Sequence, residues 1–199
     1  MKRREFFFGE VQSDRKNSVL TTGLEPYTGA WSFAEASHLL RRAMFGAKKE
    51  DIDSILKGSL PAAVDGLLSN PIPVEPAIPV YYVAFDDALV GDPWINVPYR
   101  EKHDDERAGY LRSWWYWRMS TQNISLVEKM TLFWHNHFAT DSGSVKNAQY
   151  RYRQNVLLRK NALGNFKELV KIITLDPAML RFLNGNTNTK AGPNENYAR

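Results

Sequence analysis

An all-α fold is what this 199-residue sequence predicts, and three observations carry the prediction. Apolar residues recur at spacings of three and four through most of its segments, the period of a helix with one buried face. Start and stop residues punctuate those segments: Ser32, Ser59, Ser125 and Asp176-Pro177 at the starts, Gly46, Gly58 and Gly164 at the ends. The one candidate strand, Val80 to Phe85, has no partner segment of matching pattern. The expected architecture is a multi-helix bundle with an N-terminal helical hairpin unit and a proline-rich connector. Its divisions are a polar arm at 1–30, a short helical unit at 31–69, the connector at 70–99 and the main bundle at 100–199.

Composition narrows the function classes. A hydrophobic share of 43% and a charged share of 24% are ordinary for a globular chain able to bury a core. The net charge of +4 permits anionic partners but gives no strong nucleic-acid signal. With no cysteine, thiolate nucleophiles, disulfides and zinc-thiolate sites are excluded. No apolar run is long enough to span a bilayer. The start, Met1-Lys-Arg-Arg, has the form of a twin-arginine export signal, but Gly9 onward is polar where such a signal needs an apolar run. Residues 1–30 therefore read as a disordered arm or a degenerate export signal. The location is cytoplasmic by default, and exported if the Arg-Arg start works as a signal.

In chain order, Ser32 caps a helix whose Phe33, Ala36, Leu40 and Ala43 share helical spacing, with His38 beside Leu39. Arg41 and Arg42 fit a solvated face or partners for Glu50, Asp51 and Asp53. A second helix, Lys48 to Lys57, turns Ile52, Ile55 and Leu56 inward. A third starts at Ser59 with Pro61 in its first turn, where proline is tolerated. Pro71, Pro73, Pro76 and Pro79 then forbid helix. A long helix covers Glu101 to Gln122; its Trp114, Trp115, Tyr116 and Trp117 fit core packing, with a stacking platform as the alternative. Beyond Asp141-Ser-Gly-Ser, Val145 to Ala162 is helical, with Val145, Ala148, Tyr152 and Val156 as its apolar stripe. Its basic residues, Arg151 and Arg159 among them, fit a solvated face or a surface for an acidic polymer. Phe166 to Thr174 and a helix capped by Asp176 follow.

The chain is organised around Glu128 to Thr140, which holds two of its four histidines. Ser125 and Glu128 have the capping-box spacing. Val127, Met130, Trp134 and Phe138 form one stripe, and Leu126, Leu132 and Phe133 make the helix apolar nearly all round, as in the middle of a core. His135, Asn136 and His137 at its end are the candidate catalytic residues, together with the acid Glu195 if the chain returns to the same pocket. Positions two apart point about 200° away from each other on a helix, so both histidines bind one metal only if the helix ends near Trp134. His135 or His137 is the candidate ligand for one divalent metal ion. The alternative is a core or boundary histidine with one hydrogen bond.

Four phrases together, His38-Leu-Leu-Arg-Arg-Ala-Met-Phe-Gly46, Phe133-Trp-His-Asn-His-Phe138, Gly164-Asn-Phe166 with Asp176-Pro-Ala-Met-Leu180, and Asn194-Glu-Asn-Tyr-Ala-Arg199, resemble the bacterial family called domain of unknown function 1800. The resemblance covers residues 32–199. It implies a longer protein, often exported, of which this chain is the N-terminal part, so the missing C-terminal part is itself an expected partner. It implies no activity. Two functions remain open: a hydrolase or metal-dependent enzyme with a His/Asn/Glu site, and a non-catalytic module binding a polymer or protein. An inactive fragment is the third expectation.

Overall fold

Local chemistry at the helix starts sets the frame. The computed structural model describes residues 25–69, 94–194 and Tyr197, and every regular element among them is helical. α1 (Phe33–Ala43) opens on Ser32, whose hydroxyl accepts from the Ala34 amide at 3.3 Å. The Glu35 carboxylate accepts from the Ser32 amide at 3.1 Å, which completes a capping box. α2 (Lys49–Leu56) and α3 (Leu60–Ser69) follow after short breaks. The proline run and the candidate strand Val80 to Phe85 lie outside the described residues. A single turn of 3₁₀ helix, Trp94–Asn96, then leads into α4 (Glu101–Thr121).

The remaining helices are α5 (Val127–His137), α6 (Ala148–Lys160), α7 (Phe166–Ile173) and α8 (Pro177–Phe182). Asn147 caps α6, Asn165 caps α7, and Asp176 caps α8 by accepting from the Met179 amide at 3.0 Å. Pro177 stands in the first turn of α8, where its missing N–H costs nothing. Asp141 folds the link after α5, its Oδ1 accepting from the amides of Gly143 and Ser144.

The helices α1 to α8 belong to one compact unit with three apolar clusters. Ala36, Leu40, Ile52 and Leu67 join α1, α2 and α3, and Ile124 and Leu126 pack on them from the start of α5. A hydrogen bond from the Leu126 amide to the Leu67 carbonyl at 3.1 Å ties the same junction. Trp94, Leu111, Trp114 and Tyr152 join the 3₁₀ turn, α4 and α6. Leu158, Leu169, Ile173 and Met179 join α6, α7 and α8, with Trp134 and Phe138 of α5 against them. α5 therefore touches the first cluster at its start and the third at its end, while its middle faces α4 and α6.

Several local expectations give way here. α5 is not apolar all round in its packing: Phe133 is 53% exposed, and Asn136 and His137 are exposed. Ser125 does not form a capping box with Glu128. The helix begins at Val127, and the Ser125 hydroxyl accepts from the Val127 amide at 3.2 Å, which leaves the Glu128 side chain free to turn inward. The aromatic run of α4 divides by face, with Trp114 buried, Trp115 half-buried, and Tyr116 and Trp117 exposed. Arg159 is not on a solvated face; it is 1% exposed.

Candidate active site

A carboxylate buried in a protein interior needs cations and hydrogen-bond donors around it, and Glu128 has both. Arg159 of α6 grips it with both prongs, Nε to Oε1 at 2.8 Å and Nη2 to Oε2 at 3.0 Å. Arg118 of α4 donates to Oε1 at 3.2 Å, and the Trp115 indole N–H donates to Oε2 at 3.1 Å. Both guanidinium groups also lie over the Trp114 ring, at 5.5 Å for Arg118 and 5.2 Å for Arg159. Burial pushes the Glu128 carboxyl up, but the Arg159 hydrogen bond and the two positive charges outweigh it, so the group titrates below its ordinary value.

This network fixes two side chains of a neighbouring cleft. Arg159 donates through Nη1 to Asn155 Oδ1 at 2.6 Å. A guanidinium only donates, so the Asn155 oxygen must face it and the amide nitrogen must point elsewhere. That nitrogen is buried and has no hydrogen-bond partner among the described residues. Trp115, held at its N–H end by Glu128, presents its ring edge-on to His135 with centroids 5.1 Å apart.

The cleft lies between α4, α5 and α6 and encloses about 740 Å³, a volume suited to a small molecule. Trp115, Tyr116 and Leu132 give it apolar walls, and Asn136, Thr140 and Ser142 line it where α5 ends. His135 is half-buried in its wall, and among the described residues no hydrogen bond reaches either ring nitrogen. Burial lowers its pKa from the ordinary 6.5, so the imidazole is neutral at pH 7 and able to accept a proton. Thr140 is anchored, its hydroxyl donating to Gln154 Oε1 at 2.8 Å.

Of the residues expected to form a site, His135 and Asn136 line the same cleft. His137 does not. α5 continues through it, so its ring faces away, exposed among Phe133, Trp134 and Phe138, stacked on Phe133 at 6.4 Å. Glu195 lies outside the described residues. Its neighbours are held near α8: Asn194 donates to the Leu183 carbonyl at 3.2 Å and the Tyr197 hydroxyl to the Thr174 carbonyl. Among the described residues no three His, Asp or Glu side chains converge as a metal site. His38 is exposed on α1.

Sequence reasoning gave Arg151 and Arg159 a solvated face or a surface for an acidic polymer and did not single out Asn155; the three follow one another at intervals of four along one face of α6. That polar stripe runs beside the apolar stripe of Ala148, Tyr152 and Val156. Its regular spacing was the available signal: a polar line of fixed period next to the buried line marks side chains that meet another helix.

Fold and site together define an all-helical protein with an aromatic-walled cleft, set beside a buried ion network. The chain belongs to the family described as Protein of unknown function (DUF1800), whose model matches residues 38–199. No curated protein and no solved structure matches the chain. Among the described residues, no helix is long and apolar enough to cross a membrane.

Proposed function

We propose that the cleft between α4, α5 and α6 is the active site of a hydrolase for a small molecule, with His135 as its general base. The observation that carries this reading is an imidazole without hydrogen bonds among the described residues, half-buried in a cleft wall and kept neutral by burial. Perturbed titration inside a cleft is a mark of functional groups. His135 takes a proton from a water molecule as its oxygen adds to an electrophilic carbon of the substrate, and the imidazolium returns that proton to the leaving group as its bond to the same carbon breaks. Asn136, at the same wall, offers an amide to orient the substrate. The lining described here supplies one imidazole, two guanidinium groups and no carboxylate, a set that repels a divalent cation. Acid–base chemistry therefore suits His135 better than metal ligation.

The test is a turnover screen of ester, amide and glycoside substrates with the wild type and His135→Gln. The expected result is activity on one class that falls by about 10²–10⁴-fold in the variant, the usual contribution of a general base. Activity that survives His135→Gln unchanged overturns the assignment. A second reading, a non-catalytic module for a polymer, draws on the outward rings of Tyr116 and Trp117, exposed by 68% and 56%. Polymer binding without turnover on any substrate, lost in Trp117→Ala, selects that reading.

A further inference from the structure

Two side chains of the cleft carry donors that nothing among the described residues uses. Arg151 Nε is buried without a hydrogen-bond partner there, and so is Asn155 Nδ2, on a side chain only 2% exposed. Both residues line the cleft, four positions apart on α6. The orientation of Asn155 is not free, because Arg159 holds its oxygen and Glu128 holds Arg159. Its amide hydrogens are therefore set in place before any ligand arrives, which is how a binding site avoids ordering costs.

Charge points the same way. Arg112 and Arg151 line the cleft, and among the described residues no Asp or Glu does. Burial and the charge of Arg112 both act against the Arg151 cation, while Asp104 and Asp105 favour it. Asp104 gives its Oδ1 to Arg107 at 3.0 Å, and its Oδ2 has no hydrogen-bond partner among the described residues, so it acts on Arg151 through charge and not through a hydrogen bond. A guanidinium and an amide, each with an unused N–H, complement a group that only accepts. The apolar remainder of the lining, Trp115, Tyr116 and Leu132, complements a flat or cyclic body.

We propose that Arg151 and Asn155 form an oxyanion subsite, and that the cleft takes a small cyclic or aromatic acid whose carboxylate, sulfate or phosphate group binds there. This rests on the cleft being the functional site and names its substrate class; it does not depend on what His135 does. Arg112 at the mouth draws the anion in, and Arg151 with Asn155 holds it.

Isothermal titration of the whole chain with benzoate, phenyl sulfate and phenyl phosphate tests the subsite, with neutral benzamide as control. At least one anion binds saturably and benzamide does not, and the strongest of the three identifies the group. Arg151→Gln weakens that binding by about tenfold or more, the scale of one charge-assisted hydrogen bond. Asn155→Asp keeps an oxygen toward Arg159 but turns the unpartnered donor into an acceptor, and also abolishes binding. Absence of binding by all three anions overturns the proposal. So does binding left unchanged in both variants, which would make Arg151 only a companion of Asp104, seen as a lower melting temperature without a change in affinity. Because binding is read without turnover, the result is separate from the role of His135.

Discussion

Replacing Glu128 with glutamine is expected to destabilise the fold by about 3–5 kcal/mol, the cost of leaving a buried charge without its partner. Arg159 is 1% exposed and its Nε and Nη2 both donate to this carboxylate, so glutamine leaves a buried cation with one neutral acceptor where it had two charged oxygens. Arg118 and the Trp115 indole lose the same acceptor. Urea unfolding of the two proteins measures the loss. Replacing both members of the pair, with Glu128→Leu and Arg159→Met together, is expected to recover part of it, because the fully buried Arg159 charge is gone while Arg118 and the Trp115 indole still lack their acceptor. A carboxyl held below its ordinary 4.5 contributes stability that is present above that pH and lost as pH falls through the folded value. The wild type is therefore expected to show an acid-side loss of stability that Glu128→Gln lacks.

Trp94→Ala is expected to cost about 3–5 kcal/mol, as for other large buried aromatic side chains cut to alanine. Trp94 is fully buried and meets Tyr152 edge-on at 6.2 Å, and Tyr152 in turn meets Trp114 at 5.8 Å. Removing the indole opens a cavity where the 3₁₀ turn, α4 and α6 join, behind the cleft-forming faces of those helices. Among the described residues the indole N–H has no hydrogen-bond partner. Trp94→Phe removes that unsatisfied donor while keeping a ring, so its cost is expected to be less than half that of alanine. Urea midpoints for the two variants decide the comparison, and a larger cost for phenylalanine would contradict it.

What the sequence discloses about this protein is what near neighbours decide. Ser32, Ser59 and Asp176-Pro177 mark helix starts because a capping hydroxyl or carboxylate acts within three residues of itself. The long helix is visible from Glu101 to within one residue of its end. Glu128 misleads for the converse reason. Its spacing from Ser125 fits a cap, yet its partners stand 10, 13 and 31 residues away, and no local pattern encodes that meeting. The same holds for Asn155, whose amide orientation is set by Arg159 and so by a contact between α5 and α6. His135 and Asn136 were visible as polar residues at the end of an apolar helix, and the offset of about 200° between positions two apart already separated His137 from His135 in any helix that runs through both; what stayed open was where the helix ends. Helical continuity through His137 settles that.

The position of His135 is tested most directly by titrating its imidazole in the intact protein by nuclear magnetic resonance, with His135→Gln used to assign the signal. The midpoint is expected below the ordinary 6.5, because burial beside Trp115 disfavours the charged ring. By linkage, this histidine contributes stability above pH 6.5 that is lost as pH falls through its folded value. A ring that is neutral at pH 7 and titrates only on acidification is a base ready to accept a proton. A midpoint at or above 6.5 would contradict the account, since His135 would then be either exposed to solvent or paired with an acid.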